Sequence, residues 1–515
     1  MNRLLPKLAV AWCLVGLASC AVGPDFRRPE AALPQRWTPA APQAAATPPS
    51  RVADGSLDPQ WWNAFNDPEL SSLIARVATT NLDVKVATAR LTEARAARRI
   101  VGADAAPSVN GSASYEHARG SQNGLVDISG LNGKADYNVW QPGLDASWEL
   151  DLWGRVRREI ESADASVEAS ADLRRDLLLA ALAETASDYV QLRGVQAEQA
   201  IVQQNLEIAR HSLELTRVRF ADGVATQLEI SEARGQVGTI EAQQPLLENR
   251  RLRLVNALGF LLGLPPRALE AELQAVKPIP PVPPRVPAGL PSELAERRPD
   301  IRQAEARLHA ATADIGVAVG DFYPRVTLSG NLSLQAMHLG DLAEWSSRVF
   351  GVGPSLTVPI FEGGRLKGQL ALRKAQQQEA MIQFQRTVLK AWHEVDDAMS
   401  DYDTRQLRRD KLAETVEQDR IALDNAQRQY VAGATDFLNV LTVQRDLLAT
   451  QQAWVASSTD VSVSLVSLFK ALGGGWETTF PAVPPAPAED GAARVSQVPA
   501  DTWRAGTGEA GYAAR

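Results

Sequence analysis

The sequence predicts an α+β membrane protein in which one half-domain has been duplicated. Trp153-Gly154-Arg155 recurs as Gly363-Gly364-Arg365, and Phe220–Gly223 recurs as Tyr430–Gly433, in both cases 210 residues later (433 − 223). A repeat of this length is too long for a solenoid unit, which spans about 20–50 residues. Each half therefore contains the same order of elements: short helices, two alternating strands, a very long helix, a glycine turn and a return helix.

Domain boundaries follow from these repeats and from the proline-rich stretches. The predicted parts are a lipoprotein signal peptide (1–19), a lipidated extended segment (20–66), a first repeat (67–264), a proline-rich linker (265–290), a second repeat (291–476) and a disordered tail (477–515). The first repeat is predicted to contain strands near 108–116 and 139–152, a long helix over 155–221 and a return helix over 225–262. The second is predicted to contain strands near 325–335 and 351–361, a long helix over 365–431 and a return helix over 435–472.

The first twenty residues have the features of a bacterial export signal. Arg3 and Lys7 precede a short apolar run, Leu8–Leu17, which is too brief to span a bilayer as a mature helix. The run ends in Leu17-Ala18-Ser19-Cys20, which resembles the lipobox in which the cysteine is acylated and becomes the first mature residue. Acyl chains such as palmitate on Cys20 would anchor the chain stably. An ordinary secretory signal with an incidental cysteine is the alternative.

Composition and charge argue against several functional classes. The formal net charge is −8, and it becomes about −10 (−8 − 2) without Arg3 and Lys7, whereas a nucleic-acid partner would require clustered basic surface. The five histidines lie in different predicted elements, so no metal site is predicted. We find no motif for a catalytic nucleophile or a phosphate-binding loop. We therefore predict no catalytic site, and no cofactor other than the covalent lipid on Cys20.

Four segments of about ten residues alternate apolar and polar side chains. The clearest is Val326–Gln335, in which Leu328 and Leu332 alternate with Thr327 and Ser329. This length and period are typical of outer-membrane strands, which turn one face to lipid and the other to an aqueous lumen. A half-buried sheet in a soluble sandwich has the same period. The export signal favours the membrane.

Four strands cannot close a barrel within one chain, because closed membrane barrels begin at about eight strands. An open sheet edge in lipid leaves backbone groups unpaired, at a cost of several kcal/mol each. The chain must therefore combine its strands with those of identical copies, and three copies give a twelve-stranded barrel.

No proline interrupts either of the long helices. Residues 155–221 and 365–431 each comprise 67 positions, which corresponds to about 100 Å at a rise of 1.5 Å per residue. Such a helix is longer than an ordinary globular domain. Its length suits a tube that crosses a compartment.

Several long motifs occur in a characteristic order. They are Cys20–Pro29, Trp61-Trp62, Phe65–Leu70, Gly289–Ser292, Arg297–Asp300 and Ala471–Trp476. With these motifs the chain resembles the TolC-like outer-membrane factors of tripartite efflux systems, specifically their lipidated NodT/OprM-type branch. The resemblance implies a homotrimer with a twelve-stranded β-barrel in the outer membrane, a long α-helical barrel in the periplasm and a mixed equatorial domain. It also implies that substrates arrive from an inner-membrane pump through a periplasmic adaptor protein.

The resemblance places a periplasmic gate at the two glycine turns. A helix can reverse at Gly223 and Gly433, because glycine tolerates the positive φ of a tight turn. The resemblance implies that these two turns are the periplasmic tips, where the tube narrows and the adaptor docks. In the family, an aromatic hydroxyl before the second turn bonds an acid after the first turn. The matching residues here are Tyr430 and Glu229.

The family's charged luminal positions are not charged in this sequence. Asn439 and Thr442 stand where aspartates are usual, and Thr435 replaces a basic residue. We therefore expect no acidic ring. Phe437 and Leu438 are the residues expected to close the gate by apolar packing.

The expected function is that of an exit duct, which passively conducts small molecules from the pump and adaptor to the cell exterior. Within the channel class, the alternative is the exit duct of a type I protein-secretion system. Outside it, the alternative is a lipidated periplasmic scaffold or adaptor made of helices. A scaffold would need neither the duplication nor four strands of the membrane type.

Overall fold

The computed structural model describes residues 21–30, 37, 50–53, 55–119 and 136–477. The signal peptide, the predicted lipidation site at Cys20 and the predicted tail beyond Glu477 lie outside the described residues.

The helices follow the predicted order in both repeats. They are α1 (Pro68–Thr80), α2 (Leu82–Ala103), α3 (Arg155–Ala221), α4 (Gln227–Glu241), α5 (Gln244–Leu261), α6 (Leu294–Arg297), α7 (Pro299–Gly320), α8 (Arg365–Val431) and α9 (Phe437–Leu472). Short 3-10 helices occupy Trp61–Phe65, Pro291–Glu293, Leu339–Ala343 and Trp345–Ser347.

In the part of the chain that the structure describes, six strands form two sheets. The strands are β1 (Arg51–Ala53), β2 (Ser108–Arg119), β3 (Asp136–Leu150), β4 (Arg285–Pro287), β5 (Arg325–Leu334) and β6 (Arg348–Thr357). β1 and β4 form a small parallel pair, whereas the other four form an antiparallel sheet in the order β2-β3-β5-β6. Within the described residues, β2 and β6 are each paired along one side only, so the sheet is open at both edges.

The two long helices begin and end at the residues predicted for them. α3 follows Gly154 (φ +82°) and α8 follows Gly364 (φ +87°). The Asp151 carboxylate accepts hydrogen bonds from the backbone N–H groups of Val156 and Arg157 at the start of α3, at 3.2 and 2.9 Å. A carboxylate at this position also interacts favourably with the helix dipole.

The first return helix differs from the prediction. A single helix was expected over 225–262, but the chain forms α4 and α5 with a break at Ala242 and Gln243. Pro245 lies in the first turn of α5, where its missing N–H is tolerated, whereas a position inside a continuous helix would lose a hydrogen bond. The second return helix has no proline and runs unbroken as α9.

The register of the four-stranded sheet places the alternating side chains on opposite faces. Cross-strand partners point to the same side of a sheet. The apolar residues form rows on one face, including Leu144–Leu332–Phe350 and Trp148–Leu328–Pro354. Polar and small residues form rows on the other face, including Ser147–Ser329–Gly353. Leu332 and Phe350 are 52% and 77% exposed, so this apolar face remains uncovered in the single chain.

The main core lies where the short helices of both repeats meet the long helices. The indole N–H of Trp61 donates to the Gly474 carbonyl at 3.1 Å, and its ring stacks on Phe469 with centroids 5.2 Å apart. Phe65 is fully buried beside them. The beginning of the first repeat is thus fixed to the end of the last helix.

The proline-rich segment 265–290 is more than a linker. Leu269 and Leu273 are buried in the main core. The segment's carbonyls accept hydrogen bonds from α3: Arg193 donates to Ala275 at 2.7 Å and Gln196 donates to Leu273 at 2.8 Å. The segment thus joins the two repeats and also satisfies buried polar groups of the long helix.

Among the described helices, α9 alone is long and apolar enough to cross a membrane by length and composition. Its most apolar window is 61% buried inside the protein. α9 packs against α3 and α8, as expected for a core helix.

Candidate functional site

The residues directly after Cys20 are fixed at the junction between the sheet and α3. The Val22 N–H donates to the Trp153 carbonyl at 3.0 Å. The Asp25 carboxylate accepts from the buried Arg158 at 2.5 Å, and the Phe26 ring stacks on His309 with centroids 4.4 Å apart. The segment predicted to be extended is therefore held against the protein at the end of the sheet from which the helices start.

The two helical reversals have the same backbone geometry. Gly223 (φ +76°) and Gly433 (φ +74°) adopt the left-handed conformation, which other residues rarely adopt. Val224 N–H donates to the Arg219 carbonyl at 2.9 Å, and Ala434 N–H donates to the Gln429 carbonyl at 2.8 Å. The turns are thus structural repeats of each other.

Tyr430 lies directly before the second turn, between the first helical hairpin (α3 and α4) and the second (α8 and α9). It is 4% exposed and lies against Phe437, with ring centroids 5.4 Å apart. The Arg219 guanidinium of the first hairpin lies 4.5 Å from the Tyr430 ring centroid and donates to the Val431 carbonyl at 3.1 Å. Arg219 therefore connects the end of α3 to the end of α8 by a cation–π contact and a hydrogen bond.

The predicted Tyr430–Glu229 hydrogen bond is wrong for this chain. The Tyr430 hydroxyl has no hydrogen-bond partner among the described residues. Glu229 instead accepts from the Thr226 backbone N–H at 2.7 Å, while Thr226 Oγ1 accepts from the Glu229 N–H at 3.3 Å. This capping box satisfies two backbone N–H groups at the start of α4, so the Glu229 carboxylate is bound to its own helix.

The two residues expected to close the gate differ in their surroundings. Phe437 is 1% exposed and is packed inside the chain's own tip core with Tyr430. It therefore does not pack across the symmetry axis in this conformation, contrary to the prediction. Leu438 is 55% exposed and remains a candidate for contact across the axis.

The positions predicted to face the lumen are polar and exposed. Asn439 Nδ2 donates to Thr435 Oγ1 at 3.3 Å, and the Thr442 hydroxyl donates to the Leu438 carbonyl one turn earlier at 2.9 Å. Both side chains are exposed and neutral. Among these positions there is no carboxylate that could form an acidic ring.

Arg219 is the site residue that sequence reasoning missed. The 210-residue repeat aligns it with Gln429, so its counterpart in the second repeat carries no charge. A basic residue in the last turn of a helix is common because it interacts favourably with the helix dipole. Its position in the sequence therefore gave no sign that it reaches the other hairpin.

An open four-stranded sheet with one uncovered apolar face, joined to two 67-residue helices, defines a subunit of an outer-membrane channel. The chain belongs to the outer membrane efflux protein family, whose model matches residues 73–264 and 290–474. These two matched segments correspond closely to the two repeats.

Individual relatives and a solved structure agree with this assignment. The chain is 32% identical to the outer membrane protein OprJ of Pseudomonas aeruginosa over 479 residues, which covers 92% of this chain and 97% of OprJ. It is 34% identical to the pyoverdine export outer membrane protein OpmQ of the same species over 433 residues, covering 83% of this chain and 89% of OpmQ. The solved structure of the outer-membrane channel OprN superimposes with a TM-score of 0.82 at 35% identity, covering 89% of this chain and all of that one.

The predicted fold class, a trimeric outer-membrane β-barrel continued by a long α-helical part, is therefore confirmed. The protein is an efflux channel of the outer membrane that extends into the periplasm.

Proposed function

We propose that three copies of this chain form the outer-membrane duct of a tripartite pump that exports small molecules. The observation that carries the proposal is the sheet, which is apolar on one face, polar on the other and open at both edges. Since its four strands alternate in direction, the free edges β2 and β6 of neighbouring copies can pair as antiparallel strands. A barrel closed in this way leaves no free edge in lipid.

The partners that we propose are a periplasmic adaptor and an inner-membrane pump. Around the turns at Gly223 and Gly433, and apart from Leu438, five large apolar side chains are each between 43% and 66% exposed. They are Val218, Phe220, Val224, Leu228 and Val431. A concentration of exposed apolar residues is a feature of protein interaction sites, which supports adaptor docking at the tips.

We further propose that Cys20 carries a lipid that anchors the chain to the outer membrane. A methyl group placed on Gly154 would come within 2.8 Å of Ala21 Cα, so the residue next to Cys20 lies directly on the junction between β3 and α3. This junction is where the membrane sheet gives way to the helices. Acyl chains on Cys20 would thus start close to the bilayer surface.

The duct is proposed to be a passive conduit rather than an enzyme. Family membership in channel proteins supports this interpretation. The cargo class of small molecules is supported by the name of OpmQ, which exports pyoverdine.

Export can be tested in cells that lack this chain and accumulate a fluorescent efflux substrate such as ethidium. Wild-type protein should restore export, whereas Leu228→Glu at the proposed docking surface should not. The variant should still form trimers and conduct ions in planar bilayers, because the barrel is unchanged. Normal export by Leu228→Glu would contradict docking at this surface, and failure of the wild type would contradict the efflux role.

The anchor is tested separately with labelled fatty acid. Cys20→Ser should abolish acyl labelling of the chain, while the barrel should still insert through its own apolar face. Unchanged labelling in the variant would refute acylation at this residue.

A further inference from the structure

The two repeats differ in how completely their short helices are covered. α2 and α7 each contain 22 residues and are related by a shift of 217 positions (299 − 82). Both bury the same positions against the core: Val84, Ala87 and Leu91 in α2, and Ile301, Ala304 and Leu308 in α7. α7 packs extensively against both long helices, whereas α2 packs extensively only against α3 among the described residues. One face of α2 therefore lacks the partner that its counterpart has.

The sheet topology explains why α7 contacts α3 in addition to α8. β3 pairs with β5 inside the chain; α3 follows β3, and α7 precedes β5. Their pairing therefore brings α3 and α7 together. In the same way, α8 follows β6 and α2 precedes β2, which are the two free edges of the sheet. Pairing of β6 with the β2 strand of a neighbouring copy would bring α8 and the neighbour's α2 together.

Where α7 contacts α3, a large residue lies over a glycine. A methyl group placed on Gly316 of α7 would come within 2.7 Å of Arg158 Cγ of α3. Arg158 is 4% exposed and is held by Asp25 at 2.5 Å and by Glu161 at 2.7 Å. The absence of a side chain at Gly316 thus leaves room for the arginine stem.

The same positions in the uncovered pair of helices have the opposite sizes. The repeat relates Arg158 to Gly368 on α8 (158 + 210) and Gly316 to Arg99 on α2 (316 − 217). Gly368 is exposed, and a methyl group placed on it would meet nothing within 4 Å. Arg99 is exposed and makes no hydrogen bond or ion pair among the described residues. The exchange of large and small residues keeps the two surfaces complementary.

The residues around this pair also permit close approach of two helices. Gly368, Ala371 and Ala375 lie on one exposed face of α8, and Ala89 and Ala96 are exposed on α2. Small side chains allow helices to pack with short interaxial distances. Further along α8, Ile382 is 57% exposed, whereas Phe384 and Val388 nearby on the same helix are buried.

We propose that α2 of one copy packs against the beginning of α8 of the neighbouring copy, with Arg99 lying over Gly368. This interface between copies repeats the contact that α7 and α3 make inside each chain. It rests on the trimeric channel and specifies the helical surface by which its subunits recognise each other below the barrel.

Paired cysteines test the contact directly. Apart from Cys20, the sequence after the predicted signal peptide contains no cysteine, so introduced thiols can be followed individually. Arg99→Cys combined with Gly368→Cys should, on oxidation or with a short bis-maleimide, yield covalent dimers and trimers on denaturing gels. Each single variant should run as a monomer on the same gels once heating in SDS has dissociated the non-covalent trimer. The matched control, Arg158→Cys with Gly316→Cys, has the same geometry inside one chain and should cross-link without forming covalent oligomers.

A size exchange provides an independent test. Gly368→Arg should remove most of the SDS-resistant trimer, because two arginines would then meet at the interface. Addition of Arg99→Gly should restore the trimer, since it recreates the arrangement of Arg158 and Gly316.

The outcomes separate this interface from the trimer itself. Native trimers that give no cross-link between Arg99→Cys and Gly368→Cys, together with no rescue in the size exchange, would overturn the proposed contact and leave the trimeric channel intact. Cross-links to a protein of different mass would assign the surface to another partner and also overturn it. Absence of trimers in the wild type would contradict the assembly on which the proposal rests.

Discussion

Arginine substitutions at two adjacent positions of β5 should have opposite consequences. Leu328 lies in the apolar row between Trp148 and Pro354, whereas Ser329 lies in the polar row between Ser147 and Gly353. If the apolar face contacts lipid and the polar face contacts water, Leu328→Arg should destabilise the barrel and Ser329→Arg should be tolerated. The two variants add the same side chain one residue apart, so each is a control for the other.

The size of the destabilisation by Leu328→Arg follows from the position of Leu328 in the strand. β5 contains 10 residues, which span about 23 Å of membrane height at about 3.3 Å per residue and a tilt of about 45°. Leu328 is the fourth residue, within about 4 Å of the strand midpoint at that rise and tilt. An arginine near the midplane of a membrane barrel costs about 2–4 kcal/mol. With three copies, the trimer should lose about 6–12 kcal/mol if the effects add.

The assay is reversible unfolding in urea of protein folded into phospholipid vesicles, with the SDS-resistant trimer followed on gels of unheated samples. Leu328→Arg should shift the midpoint to lower urea, and Ser329→Arg should leave it near the wild-type value while changing single-channel conductance. Equal destabilisation by both variants would refute the assignment of one face to lipid and the other to water.

Three further predictions concern the helical part. Arg219→Ala removes the cation–π contact to Tyr430 and a charged hydrogen bond to the Val431 carbonyl, together about 2–4 kcal/mol per chain. The variant should raise single-channel conductance and admit large antibiotics into cells. Unchanged conductance would mean that other contacts hold the tips. Burial, and to a smaller extent the negative charge of the nearby Glu184, raises the pKa of Asp188 to about 6. The folded state therefore binds the proton more tightly than the unfolded state, and the free energy of unfolding should rise as pH falls from 7 towards 5. Asp188→Asn should remove this pH dependence and add about 1–2 kcal/mol to the free energy of unfolding at pH 7 in urea titrations. If the pH dependence persists in the variant, it arises from another group. Thr442→Asp should strengthen block by divalent cations in planar bilayers relative to wild type, and an unaltered block would place this residue away from the lumen.

Much of the fold could be predicted because its signals are local and long. The 67-residue helices are free of proline and bounded by glycines, and ten-residue alternation is hard to produce by chance. The break between α4 and α5 was missed although Pro245 signals it, because one proline near a helical pattern is compatible with either a kink or a new start. β1 and β4, with 3 residues each, are too short to show a period.

The candidate site was less predictable because its contacts join distant parts of the chain. The spacing of Thr226 and Glu229 is a capping-box signature, so the sequence did contain evidence that this carboxylate serves its own helix. Nothing local indicates that Arg219 reaches Tyr430, because that contact depends on how the two hairpins pack. Burial of Phe437 likewise depends on which side of the first turn of α9 faces α8.

The most direct test of the channel is the current carried by purified wild-type protein in a planar lipid bilayer. Three copies that close a twelve-stranded barrel around polar rows should insert and give discrete, uniform single-channel steps. The steps should be small, because contacts such as that of Arg219 with Tyr430 join the two hairpins of each chain at the turns where we expect the tube to narrow. Trimers that insert into the bilayer but carry no current at any voltage, even after Arg219→Ala, would contradict a continuous aqueous duct.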